Sequence, residues 1–272
     1  MCTAVFAISR PEACASLARP FGRAFFREQF LEAVHSQWQQ QGIAPVQVLA
    51  GASEVGREFA AAHAEVVFTA QPDLQSAQGF YADIKRRMSR LGRQPESLKV
   101  MPGILPVIGS SQAEAEERYQ QLQALVEPEV GLSLLSDIAG GSDLSGLPLD
   151  GPLPELPPTN SGVSRQHLLR DVAQKEGLSI RQLYLRMAGA RGHRVLIGTA
   201  ASIADELEHW FVERAADGFN IMPAYLPGGL EDFVDGVIPE LQRRGLFRRQ
   251  YSGHRLRDHL SLHPLKGEKN HV

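Results

Sequence analysis

The sequence predicts an α/β fold in which short parallel strands alternate with helices. The apolar runs are short and apolar on both faces, as Val66-Val67-Phe68 shows, and this is typical of strands that are buried on both sides. The helical stretches between them carry charge on one side, as in residues 81–87. Strand and helix follow each other in turn, which indicates parallel strands joined by crossover helices. Both a (β/α)8 barrel and an open doubly wound sheet satisfy this order.

The elements can be placed in order from residue 46 onward. Before a long interruption we expect strands at 46–50, 65–69 and 98–107, and helices at 53–63, 73–91 and 112–125. After the interruption we expect a strand at 194–198, a helix from Thr199 to about residue 214, a strand at 218–223, and a helix at 230–244 that ends at Gly245. Three strands therefore precede the interruption, and one or two follow it.

The interruption, residues 127–192, is interpreted as an insertion before the last strand. Residues 140–160 are dense in Pro and Gly, which excludes a regular helix or central strand. Two helices are predicted after them, at 164–175 and 179–187, the second with Ser179 as its N-cap. Long loops of this kind in compact domains are often functional covers. Its acidic residues Asp143, Asp150 and Glu155 are too far apart for a metal cluster and are interpreted as solvated carboxylates.

The two ends of the chain do not follow the strand and helix pattern. Residues 1–41 are interpreted as an atypical leader that precedes a barrel domain at 42–265. Within the leader, residues 21–38 predict an amphipathic helix after Pro20, with Phe30 and Leu31 on its apolar face. Residues 266–272 are expected to be a frayed tail.

Composition narrows the functional classes. A net charge of -3 over 272 residues gives no general electrostatic reason to bind nucleic acid or an anionic membrane. No run approaches the roughly 20 apolar residues that span a bilayer. The only two cysteines, Cys2 and Cys14, indicate neither a disulfide framework nor a thiolate metal site, and no metal site is expected. A cytoplasmic location is the expectation.

One turn is a candidate binding site for an anion. Residues 44–58 predict a strand that passes through Gly51 into a helix whose first turn carries Ser53 and Glu54. Free backbone N–H groups and the helix dipole favour a phosphate at such a place. The same pattern is also the ordinary way to begin a helix with a Ser cap. A Rossmann-type dinucleotide site is disfavoured because the G-x-G-x-x-G spacing is missing.

Four segments carry a resemblance to a known family. They are AGASEVGREFAAAHAEVVFTAQ (50–71), EVGLSLLSDIAGGSDLSGLPLDGPLPELPPTNSG (129–162), AGARGHRVLIGT (188–199) and ADGFNIMPAYLPGGLEDFVDGVIPELQRRGLFRRQY (216–251). In the same order, they resemble the C-terminal part of flavin-dependent monooxygenases of the nitrilotriacetate monooxygenase and dibenzothiophene-sulfone monooxygenase group. This group belongs to the bacterial-luciferase-like superfamily. The resemblance runs from about residue 46 to residue 263.

The resemblance implies a fold, a cofactor and partners. The fold would be a (β/α)8 TIM-type barrel, here incomplete. The cofactor would be reduced FMN, supplied by a separate NAD(P)H:flavin oxidoreductase, with O2 as co-substrate. One oxygen atom would enter a small organic sulfur or nitrogen compound. Relatives often form homodimers, which makes a homodimer a further expectation.

The resemblance also implies site residues. The FMN phosphate would lie against Gly51, Ala52 and Ser53, with Arg57 either reaching it or paired structurally. Phe68 would pack near the flavin ring or belong to the core. His193 would hydrogen-bond flavin or substrate as a catalytic residue, or be structural. Asn220, Met222 and Tyr225 would form the last strand end and the closing loop, although Met222 also suits a core position.

The sequence departs from the family in three places. Leu49 stands where relatives tend to have Gln, and Ala224 stands where they tend to have Pro. Members are longer at the N-terminus, and residues 1–41 do not resemble the part that supplies their first strands. The chain is therefore interpreted as a truncated member. The alternatives are a non-catalytic remnant and one half of a split enzyme that needs an N-terminal partner.

Overall fold

The computed structural model describes residues 23–41, 45–158, 163–251 and 253–262. Cys2, Cys14, the first part of the predicted leader and the predicted tail at 266–272 lie outside these residues. Among the described residues, every helix is too short or too polar to cross a membrane.

The described elements alternate as the sequence predicts. The strands are β1 (Val48–Ala50), β2 (Val66–Thr69), β3 (Lys99–Ile108), β4 (Arg194–Gly198) and β5 (Asn220–Ile221). The helices are α1 (Arg23–Gln40), α2 (Glu54–His63), α3 (Leu74–Arg90), α4 (Gln112–Ala124), α5 (Pro128–Ile138), α6 (Val163–Glu176), α7 (Ile180–Ala190), α8 (Ala200–Val212), α9 (Gly228–Asp232), α10 (Ile238–Arg243) and α11 (Leu256–His259). A 3₁₀ turn covers Pro95–Ser97, and a π-helical turn covers Phe233–Val237.

The chain forms two compact units. The first takes its described residues from Met1–Phe68, Tyr81–Val100 and Gln250–Val272, and the second consists of Thr69–Phe80 and Met101–Arg249. Helix α3 and strand β3 each contribute residues to both units.

In the first unit, β1 and β2 form a parallel pair. Val48 lies beside Val66 and Ala50 beside Phe68. Small alanines allow α2 to pack closely, and Ala60 and Ala61 are fully buried on it. The C-terminal end of α2 is closed by Arg93, whose guanidinium donates to the carbonyls of Ala61 and Ala64, each at 2.8 Å. A cation at this end also complements the helix dipole.

Helix α1 confirms the predicted helix but corrects its predicted apolar face. Leu31 is buried as expected, with 3% of its surface exposed. Phe30, which was predicted to lie on the same face, is 54% exposed. The two residues are neighbours in sequence, and successive residues on a helix point about 100° apart, so packing on Leu31 turns Phe30 outward.

In the second unit, β3 is the central strand. It pairs in parallel with β4, from Ile104 beside Arg194 to Ile108 beside Gly198. It also pairs in parallel with β5, with Gly103 beside Asn220. The insertion is thus followed by two strands, at the two places that the sequence predicts.

The strand count and order define an incomplete barrel-type fold. The described residues contain five strands, whereas a closed (β/α)8 barrel needs eight. In a closed barrel each strand pairs with the next along the chain, but here β5 pairs with β3 instead of β4. The barrel is therefore not closed by these five strands.

Residues 127–192, called the insertion below, have an apolar core of their own. Its fully buried members include Leu135, Leu169, Ile180, Leu183 and Tyr184. Helix α7 begins with a complete capping box, because Ser179 accepts from the N–H of Gln182 and the Gln182 side chain bonds back. Helix α5 is not among the elements predicted from the sequence.

Candidate functional site

The turn between β1 and α2 is tight and lined by small residues. Ser53 caps α2, since its hydroxyl accepts from the N–H of Gly56 at 3.2 Å. A methyl group at Gly56 would lie 3.0 Å from the Ser53 hydroxyl and 3.6 Å from the backbone of Gly51. Gly51 and Gly56 therefore let strand end and helix start approach closely. Phe68 lies beside Ala50, the residue before Gly51, so Phe68 and the turn follow the same strand pair of the first unit.

A cluster of charges joins this turn to α3. Arg57 donates to Asp83 at 2.8 Å and to Glu54 at 3.0 Å. Arg87, with 8% of its side chain exposed, donates to Asp83 at 2.9 Å, Glu58 at 2.5 Å and Glu54 at 2.6 Å. The structure thus gives Arg57 the paired arrangement, one of its two predicted alternatives, and its contact with a phosphate stays a prediction.

The ion pairs of this cluster favour the charged forms of Asp83 and Arg87. Burial raises the pKa of the Asp83 carboxyl, but the hydrogen bond from Arg87 and the charges of Arg57, Arg87 and Arg86 outweigh burial and hold its pKa below the ordinary value. The hydrogen bond to Asp83 raises the pKa of Arg87. Four guanidinium groups, those of Arg57, Arg86, Arg87 and Arg90, meet three carboxylates, so the cluster carries a net positive charge.

Two predicted residues of the second unit lie at the end of β5. The Asn220 amide donates to the carbonyl of Met101 at 2.9 Å. The backbone N–H of Met222 donates to the carbonyl of Ile104, also at 2.9 Å. Both residues are half-buried. These bonds to β3 fix where the closing loop begins.

Tyr225 belongs to a polar network that the sequence did not reveal. Its hydroxyl donates to Asp232 at 3.3 Å, and Asp232 is paired with Arg118 at 3.0 Å. Arg118 also donates to the carbonyl of Ile108, the last residue of β3, at 2.8 Å. Burial, followed by the charge of Asp232, raises the pKa of Tyr225. Arg118 and Asp232 stand 114 residues apart, so no local spacing could have joined them.

His193 lies at the amino end of its strand, not at the carboxyl end. It immediately precedes β4 and donates its backbone N–H to the carbonyl of Ala190 at 2.8 Å. Gly51, Phe68 and Met222 lie at or just after the carboxyl ends of their strands, which is where barrel enzymes bind ligands. The amino end of β4 therefore gives no geometric support for the predicted catalytic role, which stays a prediction.

Two of the three acidic residues interpreted as solvated carboxylates, Asp143 and Asp150, have partners within the insertion. Asp143 accepts from the N–H of Ser145 at 2.9 Å, and Asp150 pairs with Arg181 at 2.8 Å. These bonds lower the pKa of both carboxyls. Within the described ranges, no group of three His, Cys, Asp or Glu residues is arranged to hold a metal ion.

The chain is similar to known monooxygenases. The family model described as luciferase-like monooxygenase matches residues 21–218. Nitrilotriacetate monooxygenase component A from Aminobacter aminovorans is 51% identical over 219 residues, which are 80% of this chain and 48% of that protein. N-acetyl-S-(2-succino)cysteine monooxygenase from Bacillus subtilis (strain 168) is 47% identical over 220 residues, which are 80% of this chain and 50% of that protein.

A solved structure is also similar. Riboflavin lyase, determined with modified FMN and its substrate riboflavin, has a TM-score of 0.69 and 27% identity over 80% of this chain and 47% of its own. The chain thus spans about half the length of the relatives it matches.

Proposed function

The chain belongs to the luciferase-like monooxygenase family, and we propose that it acts in a two-component, FMN-dependent monooxygenase. The reaction would insert one oxygen atom from O2 into a small organic sulfur or nitrogen compound. The observation that carries this proposal is the 51% identity to a protein named as component A of a nitrilotriacetate monooxygenase. The second relative, whose name gives a cysteine thioether as substrate, supports the sulfur alternative.

The first unit would hold the phosphate end of the flavin. Gly51, Ala52 and Ser53 form the narrow start of α2, where a Cβ at Gly56 would crowd the Ser53 hydroxyl. Backbone N–H groups and the helix dipole favour an anion there, and the net positive cluster beside it adds to this preference. Phe68 would pack near the ring system. Reduced FMN, when bound, supplies the electrons for the activation of O2.

The second unit would contribute to substrate binding. Asn220 and Met222 fix the start of the closing loop through their bonds to β3. Tyr225 would face substrate, with its hydroxyl oriented by Asp232. His193 would hydrogen-bond flavin or substrate.

The proposed partners follow from the same resemblance. A separate NAD(P)H:flavin oxidoreductase would supply the reduced flavin, in a cytoplasmic setting, and the small organic substrate would bind as the reaction partner. The chain would also associate as a homodimer or with a segment that supplies further barrel strands. The second of these is favoured by the pairing of β5 with β3, which leaves the five described strands unclosed.

The alternative function is a non-catalytic remnant, or one half of an enzyme that needs an N-terminal partner. It is motivated by the five described strands, which do not close a barrel. The two proposals differ in whether the chain alone binds FMN and consumes oxygen.

The test measures FMN binding by fluorescence and oxygen consumption with a flavin reductase. The purified chain is compared with the same chain mixed with a polypeptide equivalent to the first half of the nitrilotriacetate enzyme. Turnover by the chain alone supports the enzyme, and turnover only in the mixture supports the split form. Flavin binding without turnover in either sample supports the remnant. If neither sample binds FMN, the proposal of a flavin site is wrong.

A further inference from the structure

Among the described helices that carry a glutamate in their first turn, α2 and α4 direct its carboxylate differently. In α4, Oε2 of Glu114 accepts from the backbone N–H of Ser110 at 2.8 Å and from its hydroxyl at 2.5 Å, while Oε1 accepts from Arg118 at 2.8 Å. One oxygen of this carboxylate therefore folds back to the residue just before the N-cap of its own helix. In α2 the equivalent third position is Gly56, which has no side chain to fold back. The glutamate stands instead at Glu54, the first helical residue.

The Glu54 carboxylate is bound on both oxygens by arginines. Oε1 accepts from Arg87 at 2.6 Å, and Oε2 accepts from Arg57 at 3.0 Å. Arg87 is itself fixed by Asp83 and Glu58. Arg87 and Asp83 are buried, so their geometry is constrained by packing as well as by charge.

We propose that Arg87 and Arg57 are positioning residues that keep the Glu54 carboxylate away from the first turn of α2. The backbone N–H groups of Glu54 and Val55 then remain available to an anionic phosphate, whereas the N–H of Gly56 is capped by Ser53. This inference rests on the proposed function, in which the phosphate belongs to FMN. It gives Arg57 a role different from direct contact with the phosphate.

The physical reason is competition between two anions for one helix start. A carboxylate in the first turn is attracted by the helix dipole and by unpaired N–H groups. Glu54 without its arginines would be drawn to these groups and would also repel a phosphate. Pairing with Arg57 and Arg87 removes both effects, because the carboxylate is neutralised and directed toward α3.

The affinity ratio of oxidised FMN to riboflavin measures the contribution of the phosphate, since the two flavins differ only in that group. We expect the Arg57→Gln variant to lower this ratio about tenfold, a change that corresponds to about 1.4 kcal/mol. We expect Arg57→Gln combined with Glu54→Gln to return to within about twofold of wild type. Arg87→Met, with and without Glu54→Gln, tests the buried arginine in the same way.

Controls separate this mechanism from simpler ones. Arg181→Gln removes the same charge from a pair in the insertion and should leave the ratio unchanged. A general loss of folding would weaken both flavins equally and would not be rescued by Glu54→Gln. Should Arg87→Met fail to fold, the Arg57 pair still decides the question.

Two results would overturn the inference. If Glu54→Gln does not restore the ratio in Arg57→Gln, then Arg57 contacts the phosphate directly. If wild type binds FMN and riboflavin equally, the proposed phosphate contact is wrong and the inference fails with it.

A second measurement is independent of the flavin ring. Inorganic phosphate should shift the backbone amide NMR signals of residues 53–56 in wild type, not in Arg57→Gln, and again in the double variant. This pattern without any flavin binding supports the inference and contradicts the proposed function. No shift in wild type contradicts the inference.

Discussion

The contact between α2 and α3 in the first unit and the insertion of the second unit are stabilised in opposite ways. The insertion is closed by apolar side chains, among them Leu135, Leu183 and Tyr184. The α2–α3 contact contains a buried arginine with three carboxylates around it. Apolar packing would serve equally well for stability, since buried ion pairs are rarely better than hydrophobic residues of similar volume. The difference teaches that stability alone does not explain the charges beside the β1–α2 turn.

The largest effect is expected from Leu183→Ala in the insertion. Leu183 is completely buried, and its truncation leaves a cavity that should cost about 2–5 kcal/mol of unfolding free energy. Urea unfolding followed by circular dichroism measures this loss. Leu125→Ala is the matched control, because this leucine is 77% exposed and should change stability by less than about 0.5 kcal/mol. Equal losses in the two variants would contradict an apolar core in the insertion.

The Arg87→Met variant tests the ionic contact. It leaves Asp83 buried without its main partner, and we expect a loss of about 3 kcal/mol, near the lower end for a broken buried pair because Glu54 and Glu58 are partly exposed. Arg181→Met breaks an exposed pair with Asp150 and serves as control. The same urea experiment should show no measurable change for it. If Arg87→Met left the free energy of unfolding unchanged, the packing of α2 on α3 would not require this cluster.

A smaller effect is expected at Gly131 in α5. A methyl group at this position would overlap the ring of Tyr184, so Gly131→Ala should cost about 1–3 kcal/mol by overpacking. Gly146→Ala, where the added methyl meets nothing within 4 Å, is the control. Thermal unfolding of both variants gives the comparison. A neutral Gly131→Ala would show that α5 and α7 are not in close contact at this point.

The smallest effect concerns pH. The pKa of Asp83 is lowered in the folded chain, so its contribution to stability is present above the ordinary value of 3.8 and is lost as pH falls through the lower folded pKa. We expect stability to rise with pH in this acidic range, and Asp83→Asn to make that rise shallower. Urea midpoints measured across the acidic range test the slope, and Asp150→Asn provides an exposed carboxylate for comparison. An unchanged slope in Asp83→Asn would contradict the lowered pKa.

Features that depend on neighbouring residues were predictable. The caps at Ser179 and Thr199 were confirmed, because each hydroxyl bonds an N–H three residues later. Gly245 was also confirmed as a helix end, since it has the positive φ of 74° that favours glycine. The strand and helix alternation needed only the local period of apolar residues.

Features that depend on distant residues were not predictable. Helix α5 contains Pro128 and Gly131, which locally disfavour a helix, yet Pro stands in its first turn and Gly131 provides the close approach to Tyr184. The two alternatives for Arg57 could not be separated by sequence, because its partner Asp83 stands 26 residues away. The pairing of Arg118 with Asp232 could not be predicted either, because the two residues stand 114 residues apart in the sequence.

The sequence by itself determined the α/β class, the positions of most elements and, through its motifs, the family. These depend on periodicity, caps and ordered segments, all of which are written along the chain. Only the tertiary structure decided that β5 pairs with β3, that Arg57 lies in an ion cluster, and that Glu54 faces α3 while Glu114 faces its own helix start. Each of these is set by which groups meet in space. The physical reason is that pairing energies act over a few ångströms, regardless of separation in sequence.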